Sequence, residues 1–424
     1  MWYSVHLAEP IDCSQPAWRR QYGPGGRLLP SYRTAQSIPF RWLYCLFPAR
    51  RRLASTIASP MKAAVIEEFG QPLFIRDLDI AAPGRDEVLL RTAAVGLCHS
   101  DLHYLRGMRK FPLPGVLGHE VSGIVEAVGP GVKDLKPGDR VVGALAVFCG
   151  ACRQCLGGRF ALCADTDVKQ PPGQARRLSQ GGRPVSQVFN LSGFAEMMLV
   201  HRNALVKVRD DMPLDRAALL GCAVITGTGA VFRSAQVPAG ASVAVIGCGG
   251  VGLATINGAR IAGAARIVAV DNMPAKLELA RRFGATDTVL AADGDTVAKV
   301  AELTQGGVEY SFECIGRPET VEQAFRMLQP GGTATVVGLF PPGVKLAVEA
   351  SDFFLEKKLR GTALGSARIR EDIPRLVELY MQGRLNLDDL VSRRIRLEQI
   401  NEGFDAMARG EVARSVVVFE GAGA

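Results

Sequence analysis

The 424-residue chain contains no run of eighteen apolar residues, so nothing in it is expected to span a membrane. Net charge is small where a fold is expected. Of the formal +8, residues 1–60 contribute +6, with eight Arg, no Lys and only Glu9 and Asp12 as acids. That leaves 42 basic against 40 acidic residues in 61–424, a balance with no signal for nucleic acid or an acidic membrane surface. No secretory signal heads the chain, and it is much too long for a small disulfide scaffold. Its ten cysteines therefore point to metal in a reducing compartment. Histidine is scarce, five in all, and three of these (His99, His103 and His119) fall in one stretch.

That stretch, Gly96 to Glu120, reads GLCHSDLHYLRGMRKFPLPGVLGHE. A thiolate at Cys98 and an imidazole at His119 are ligands that zinc prefers. A third ligand from elsewhere would leave one position open for a substrate oxygen. A lone histidine is more often a satisfied core residue, but Cys-His-Ser-Asp, His103 and Gly-His-Glu in succession read as half of a catalytic metal site.

In chain order, residues 1–60 do not read as a folded domain. Prolines break any period, Arg50, Arg51 and Arg52 stand together, and the Arg-rich, acid-poor composition resembles an organellar transit peptide. The blander alternative starts translation at Met61, where MKAAVIEEFG reads as a first strand. Cytoplasmic localisation is expected, or mitochondrial if the extension is a transit peptide.

Strands are expected at 62–66, 87–94, 122–128 and 140–147, separated by Pro-Gly turns, in a barrel-like β domain. Cys149, Cys152, Cys155 and Cys163 follow as C-x2-C-x2-C-x7-C. Four thiolates at this spacing close on one tetrahedral zinc as a structural site. The alternatives are two disulfides, which the short gaps disfavour, and an iron–sulfur cluster, for which no other feature calls. Residues 164–193, rich in Gly, Pro, Gln, Arg and Ser, read as a structureless insert, either bordering the substrate entrance or merely solvated. Cys222, in LLGCAVITGTG, taken alone reads as core.

From residue 241 strand alternates with helix. A strand at 242–246 runs into Gly247-Cys248-Gly249-Gly250-Val251-Gly252, a helix continues to 262, and a second strand from 266 ends at Asp271. With its strand, its helix and an acid nineteen positions past the last glycine, the motif is a dinucleotide fingerprint. The pyrophosphate would sit at the helix N-terminus. Asp271 would bind the ribose hydroxyls and repel a 2′-phosphate, so NAD is expected over NADP. Further units at 276–283, 288–290, 308–314, 320–328 and 333–338 complete a doubly wound parallel sheet, and 415–419 reads as a last strand.

With these motifs in this order, residues 61–424 resemble the zinc-dependent medium-chain alcohol dehydrogenases, most of all the long-insert branch that includes class III-like and nicotinoprotein-like members. The resemblance implies an α/β plus β fold: a GroES-like catalytic domain (61–223 and 364–424) around a Rossmann domain (224–363), with the active site between them. It implies that Cys98, His119 and Cys222 hold a catalytic zinc, with Glu120 behind the metal and able to bind it transiently. Cys149, Cys152, Cys155 and Cys163 would hold a second, structural zinc. Ser100 would take the substrate proton and His103 would be the outer end of the relay, while Asp101 orients His119. On the cofactor side it implies Gly247, Gly249, Gly250, Val251 and Gly252 at the phosphates, Asp271 and Lys276 at the ribose, Thr226 near the nicotinamide and Arg414 at the pyrophosphate. His99 stands where many members have Arg, so its grip on phosphate is expected to be weaker. The function implied is reversible NAD-linked oxidation of a small primary or secondary alcohol by a homodimer. A thiol-adduct formaldehyde dehydrogenase, a nicotinoprotein that keeps its cofactor, and a non-enzymatic protein of the same fold are the alternatives.

Overall fold

The computed structural model describes residues 60–165, 167–169 and 177–420; the extension, read above as a targeting or disordered segment, lies outside them. In chain order the first part comprises β1 (Met61–Ile66), β2 (Phe74–Ile80), β3 (Glu87–Gly96), α1 (His99–Leu105), β4 (Gly115–Val116), β5 (Glu120–Val128) and β6 (Arg140–Gly143). It continues through α2 (Arg153–Leu156), β7 (Leu178–Gln180), β8 (Arg183–Gln187), β9 (Met197–His201), β10 (Leu205–Lys207), α3 (Leu214–Ala217) and α4 (Ala223–Gly229). The nucleotide-type part holds β11 (Ser242–Ile246), α5 (Gly250–Ala262), β12 (Arg266–Asp271), α6 (Pro274–Phe283), β13 (Asp287–Leu290), α7 (Thr296–Thr304), β14 (Val308–Glu313), α8 (Pro318–Arg326), β15 (Leu328–Val336) and β16 (Lys358–Gly361). The chain ends with α9 (Ile369–Met381), β17 (Val391–Ile395), α10 (Ile400–Ala408) and β18 (Arg414–Val418).

β1, β2, β7, β8 and β4 close a barrel, and a seven-stranded sheet runs β10-β6-β5-β3-β18-β17 with β9 paired to β3. The second part is a six-stranded parallel sheet in the order β13-β12-β11-β14-β15-β16. Its central strands, β11 (Ser-Val-Ala-Val-Ile) and β12 (Arg-Ile-Val-Ala-Val-Asp), are largely apolar and buried, because helices cover both faces. No single helix among the described residues is long and apolar enough to cross a membrane.

Two expectations need correcting. The strand expected at 140–147 stops at Gly143, where Ala144 N–H turns away to the carbonyl of Ala204. The insert is not structureless either. β7 and β8 form a hairpin that helps close the barrel, and Gly181 and Gly182 turn it with φ of 52° and 80°. A two-residue Gly-Gly loop between short strands is the turn that matches strand twist.

Candidate active site

Sheet register brings the first two metal-type ligands together. Gly96 at the end of β3 pairs with Glu120 at the start of β5. Cys98 and His119 flank that pair and so converge. Next to it Val121 pairs with Gly143 of β6. Gly221 backs onto the same Gly143, where a Cβ would lie 2.2 Å from its carbonyl oxygen. That close approach delivers Cys222, at the N-terminus of α4, to the other two. One ligand atom from each of Cys98, His119 and Cys222 then lies within 4.8 Å of the others, and all three residues are buried.

His119 Nδ1 lies 3.1 Å from Asp101 Oδ1, which also accepts the N–H of Gly118 at 3.0 Å. With Nδ1–H donated to Asp101, Nε2 is the ring atom left to face the cysteines, where a metal ion would take the place of a proton. Nε2 is buried and, among the described residues, has no partner. Burial pulls the His119 pKa down, but Asp101 and Cys98 outweigh it and hold the pKa well above the usual value. The Cys98 thiol is held well below its usual range, first by a hydrogen bond from Cys222 and then by His119 and Arg414 against burial. An imidazole nitrogen and two cysteine sulfurs converging in a dry pocket are a poor core but a good donor set for zinc. The residues fit that ion.

Glu120 sits behind this triad. Its Oε1 accepts Ala223 N–H at 3.1 Å and its Oε2 accepts Arg414 Nε at 3.2 Å. Burial raises its carboxyl to about 7 against the pull of Arg414. On α1, Ser100 and His103 lie one turn apart and half-buried, while His99 is exposed. Burial and then Cys98, Arg106 and Arg109 act on His103, with a net lowering of its pKa.

Cys149, Cys152, Cys155 and Cys163 form the second cluster, with sulfur separations of 3.6 Å (Cys152–Cys155) and 3.9 Å (Cys149–Cys155 and Cys152–Cys163). Zinc–sulfur bonds of 2.3 Å put tetrahedral sulfurs about 3.8 Å apart. Backbone N–H groups of Cys149, Ala151 and Cys152 point at the sulfurs at 3.2–3.4 Å. N–H groups of Cys155 and Ala164 push the Cys152 thiol down to about 6. The eight cysteines among the described residues are all free.

At the dinucleotide fingerprint, Gly247 turns the chain at φ 94°, and a Cβ on Gly252 would lie 1.7 Å from the Gly247 carbonyl oxygen. A Cβ on Gly249 would meet nothing within 4 Å, which leaves room beside the first turn of α5 for an anion. Val251 continues that turn half-buried. Asp271 ends β12, takes Cys248 N–H at 2.7 Å and Met273 N–H at 3.1 Å, and so has its carboxylate fixed at the strand end. Lys276 stands half-buried on α6, and Thr226 lies half-buried one turn past Cys222. The turn fits a dinucleotide. α4 packs tightly on α5, where a Cβ on Gly227 would lie 2.5 Å from Val251 O, so the metal-type triad and the phosphate turn share one wall.

Sequence reasoning missed Phe189. Its ring lies 4.5 Å from the His119 imidazole and 4.8 Å from Tyr104, from a backbone held at φ 57°. Ser192 Oγ–H donates to Val116 O at 3.2 Å and Gly193 N–H to Gly118 O at 2.8 Å, which ties this strained segment to the loop that carries His119. A phenylalanine in left-handed backbone has no sequence signal.

Residues 84–210 match the profile of the alcohol dehydrogenase GroES-like domain, and residues 250–382 match that of the zinc-binding dehydrogenases. The class-3 alcohol dehydrogenase of Cereibacter sphaeroides is 37% identical over 373 residues, covering 84% of this chain and 99% of that one. The chain belongs to the zinc-dependent medium-chain alcohol dehydrogenase family. It is an oxidoreductase of that type. Among solved structures, an alcohol dehydrogenase zinc-binding domain protein from Burkholderia ambifaria superposes with a TM-score of 0.83 at 38% identity, covering 86% of this chain and all of that one. Benzyl alcohol dehydrogenase from Acinetobacter calcoaceticus gives 0.81 at 34%, covering 85% and 99%.

Proposed function

We propose that this dehydrogenase oxidises primary or secondary alcohols reversibly with NAD, carrying two zinc ions per chain and working as a homodimer. The observation that carries the reading is the buried, unpartnered Nε2 of His119 facing the sulfurs of Cys98 and Cys222. Zinc held by these three residues supplies a Lewis acid that lowers the pKa of an alcohol hydroxyl, and NAD supplies the hydride acceptor. Asp101 fixes the tautomer and tilt of His119. Ser100 would accept the hydroxyl proton as it gives up its own, and His103, half-buried and kept neutral at pH 7 by a pKa that burial lowers, would pass the proton outward. Gly247–Gly252 and α5 hold the pyrophosphate. The Asp271 carboxylate, fixed by two backbone N–H groups, binds the ribose and disfavours a 2′-phosphate. Phe189 and Tyr104 offer an apolar wall beside the imidazole, suited to the carbon side of an alcohol.

Elemental analysis together with an alcohol panel tests the reading. Two zinc per chain and turnover with NAD well above that with NADP are expected. Zinc-replete protein that turns over no alcohol with NAD would overturn the reading.

A further inference from the structure

We propose that Arg414 is a positioning residue that couples occupancy of the dinucleotide turn to the grip of Cys98, His119 and Cys222 on their metal. This inference rests on the reading above and adds a link between its two sites.

Three contacts form the link. Arg414 is only 3% exposed, and its Nε–H donates to Glu120 Oε2 at 3.2 Å. The other oxygen of Glu120 accepts the N–H of Ala223, the residue after Cys222, at 3.1 Å. On its far side, the Arg414 guanidinium presses on the phosphate turn. A Cβ on Gly250 would lie 2.5 Å from its Cζ and 2.6 Å from Nη1. One buried cation therefore touches both the first residue of α5 and the carboxylate adjoining a metal ligand. The register fixes its place, because β18 pairs with β3 through Val416 and Gly96, and Leu97 N–H bonds Ser415 O at 2.9 Å.

The direction of the coupling follows from charge. In the free protein Arg414 repels a dication in the triad and holds Glu120 toward itself. A pyrophosphate at Gly250 competes for the guanidinium, offsets its charge and loosens its hold on Glu120. Both changes favour the dication in a low-dielectric pocket. Linkage is reciprocal, so the metal must favour the pyrophosphate by the same factor.

The test uses the full chain and ADP-ribose, which carries the pyrophosphate but no nicotinamide and so leaves the metal end of the cleft open. Zinc affinity is measured at equilibrium against a chromophoric chelator, with ADP-ribose saturation verified by calorimetry. ADP-ribose is expected to tighten the more weakly held zinc about tenfold, within the usual range for coupled sites. Its own affinity should rise by the same factor on zinc loading. Glu120→Gln leaves Arg414 in place to meet the pyrophosphate but removes the charged link, and should cut the coupling factor from about tenfold to about threefold, the part left by the offset charge of Arg414 alone. Unchanged zinc affinity in saturated wild type would overturn the proposal, as would full coupling in Glu120→Gln. Protein that holds one zinc only, or ignores ADP-ribose, would overturn the underlying reading and this inference with it.

Discussion

The two cysteine clusters use the same element of chemistry in opposite ways. Cys149, Cys152, Cys155 and Cys163 come from fifteen consecutive residues, and Cys149 and Cys152 are only half-buried. Backbone N–H groups point at their sulfurs, and four thiolates leave a tetrahedral ion no free position. Cys98, His119 and Cys222 come from three distant segments and are all buried. They offer three ligands, keep a nitrogen unpartnered, and have the Asp101 and Glu120 carboxylates close behind. The first cluster is complete in itself. The second is incomplete without something further, and that incompleteness is what makes it a candidate for chemistry.

The largest effect should separate the two clusters. Cys222→Ser should lower kcat roughly 10³-fold, the several kcal/mol a Lewis acid supplies, with the melting temperature little changed. Cys155→Ser should instead expose residues 149–163 to limited proteolysis and cost activity much less. Equal losses of kcat in the two variants would dissolve the distinction. Next in size, Ser100→Ala should cut turnover about 10²-fold, the lower end of general-base catalysis, while NADH affinity measured by fluorescence stays level. Full turnover in that variant would remove Ser100 from the proton path. Asp101→Asn tests the support of the open cluster. Its zinc affinity should fall about 10- to 100-fold by chelator competition, with the four-cysteine zinc retained.

The same contrast governs what could be read from sequence. A closed cluster built from local spacing is visible as C-x2-C-x2-C-x7-C, and the strand–glycine–helix–acid order of the dinucleotide turn is equally local. Cys222 carried no signal of its own, because its place depends on Gly221 backing onto Gly143, a contact 78 positions apart along the chain. It entered through resemblance. The pairing of Arg414 with Glu120 is hidden for the same reason: sheet register creates it over a separation of 294 residues. The hairpin at 178–187 carries a local turn signal in Gly181-Gly182, but the polar composition around it masks the strand alternation, so the insert reads as structureless. Phe189 was not legible, because nothing local asks for a left-handed phenylalanine. Hydrogen bonds from its neighbours to Val116 and Gly118 impose it.

The smallest effect concerns the rim of the open cluster. His99 follows the ligand Cys98 and keeps part of its surface exposed, yet desolvation by the protein packed around it, and then the charge of Arg414, lower its pKa to about 4. A lowered histidine pKa means the cation exists only below that value, so between pH 5.5 and 8 His99 offers a phosphate a neutral imidazole. The dissociation constant of NADH should therefore show no step near pH 6.5 from this residue. With an ordinary pKa, binding would weaken as pH rose through 6.5 and the charge was lost. His99→Arg places a permanent, bidentate cation at the same point. A charge-assisted bond exceeds a neutral one by about 1 kcal/mol, so NADH should bind roughly fivefold tighter and leave more slowly. Stopped-flow fluorescence reads both quantities. A wild-type dissociation constant that climbs through pH 6.5, with the climb abolished in His99→Arg, would show that His99 already binds phosphate as a cation and that its surroundings do not keep it neutral.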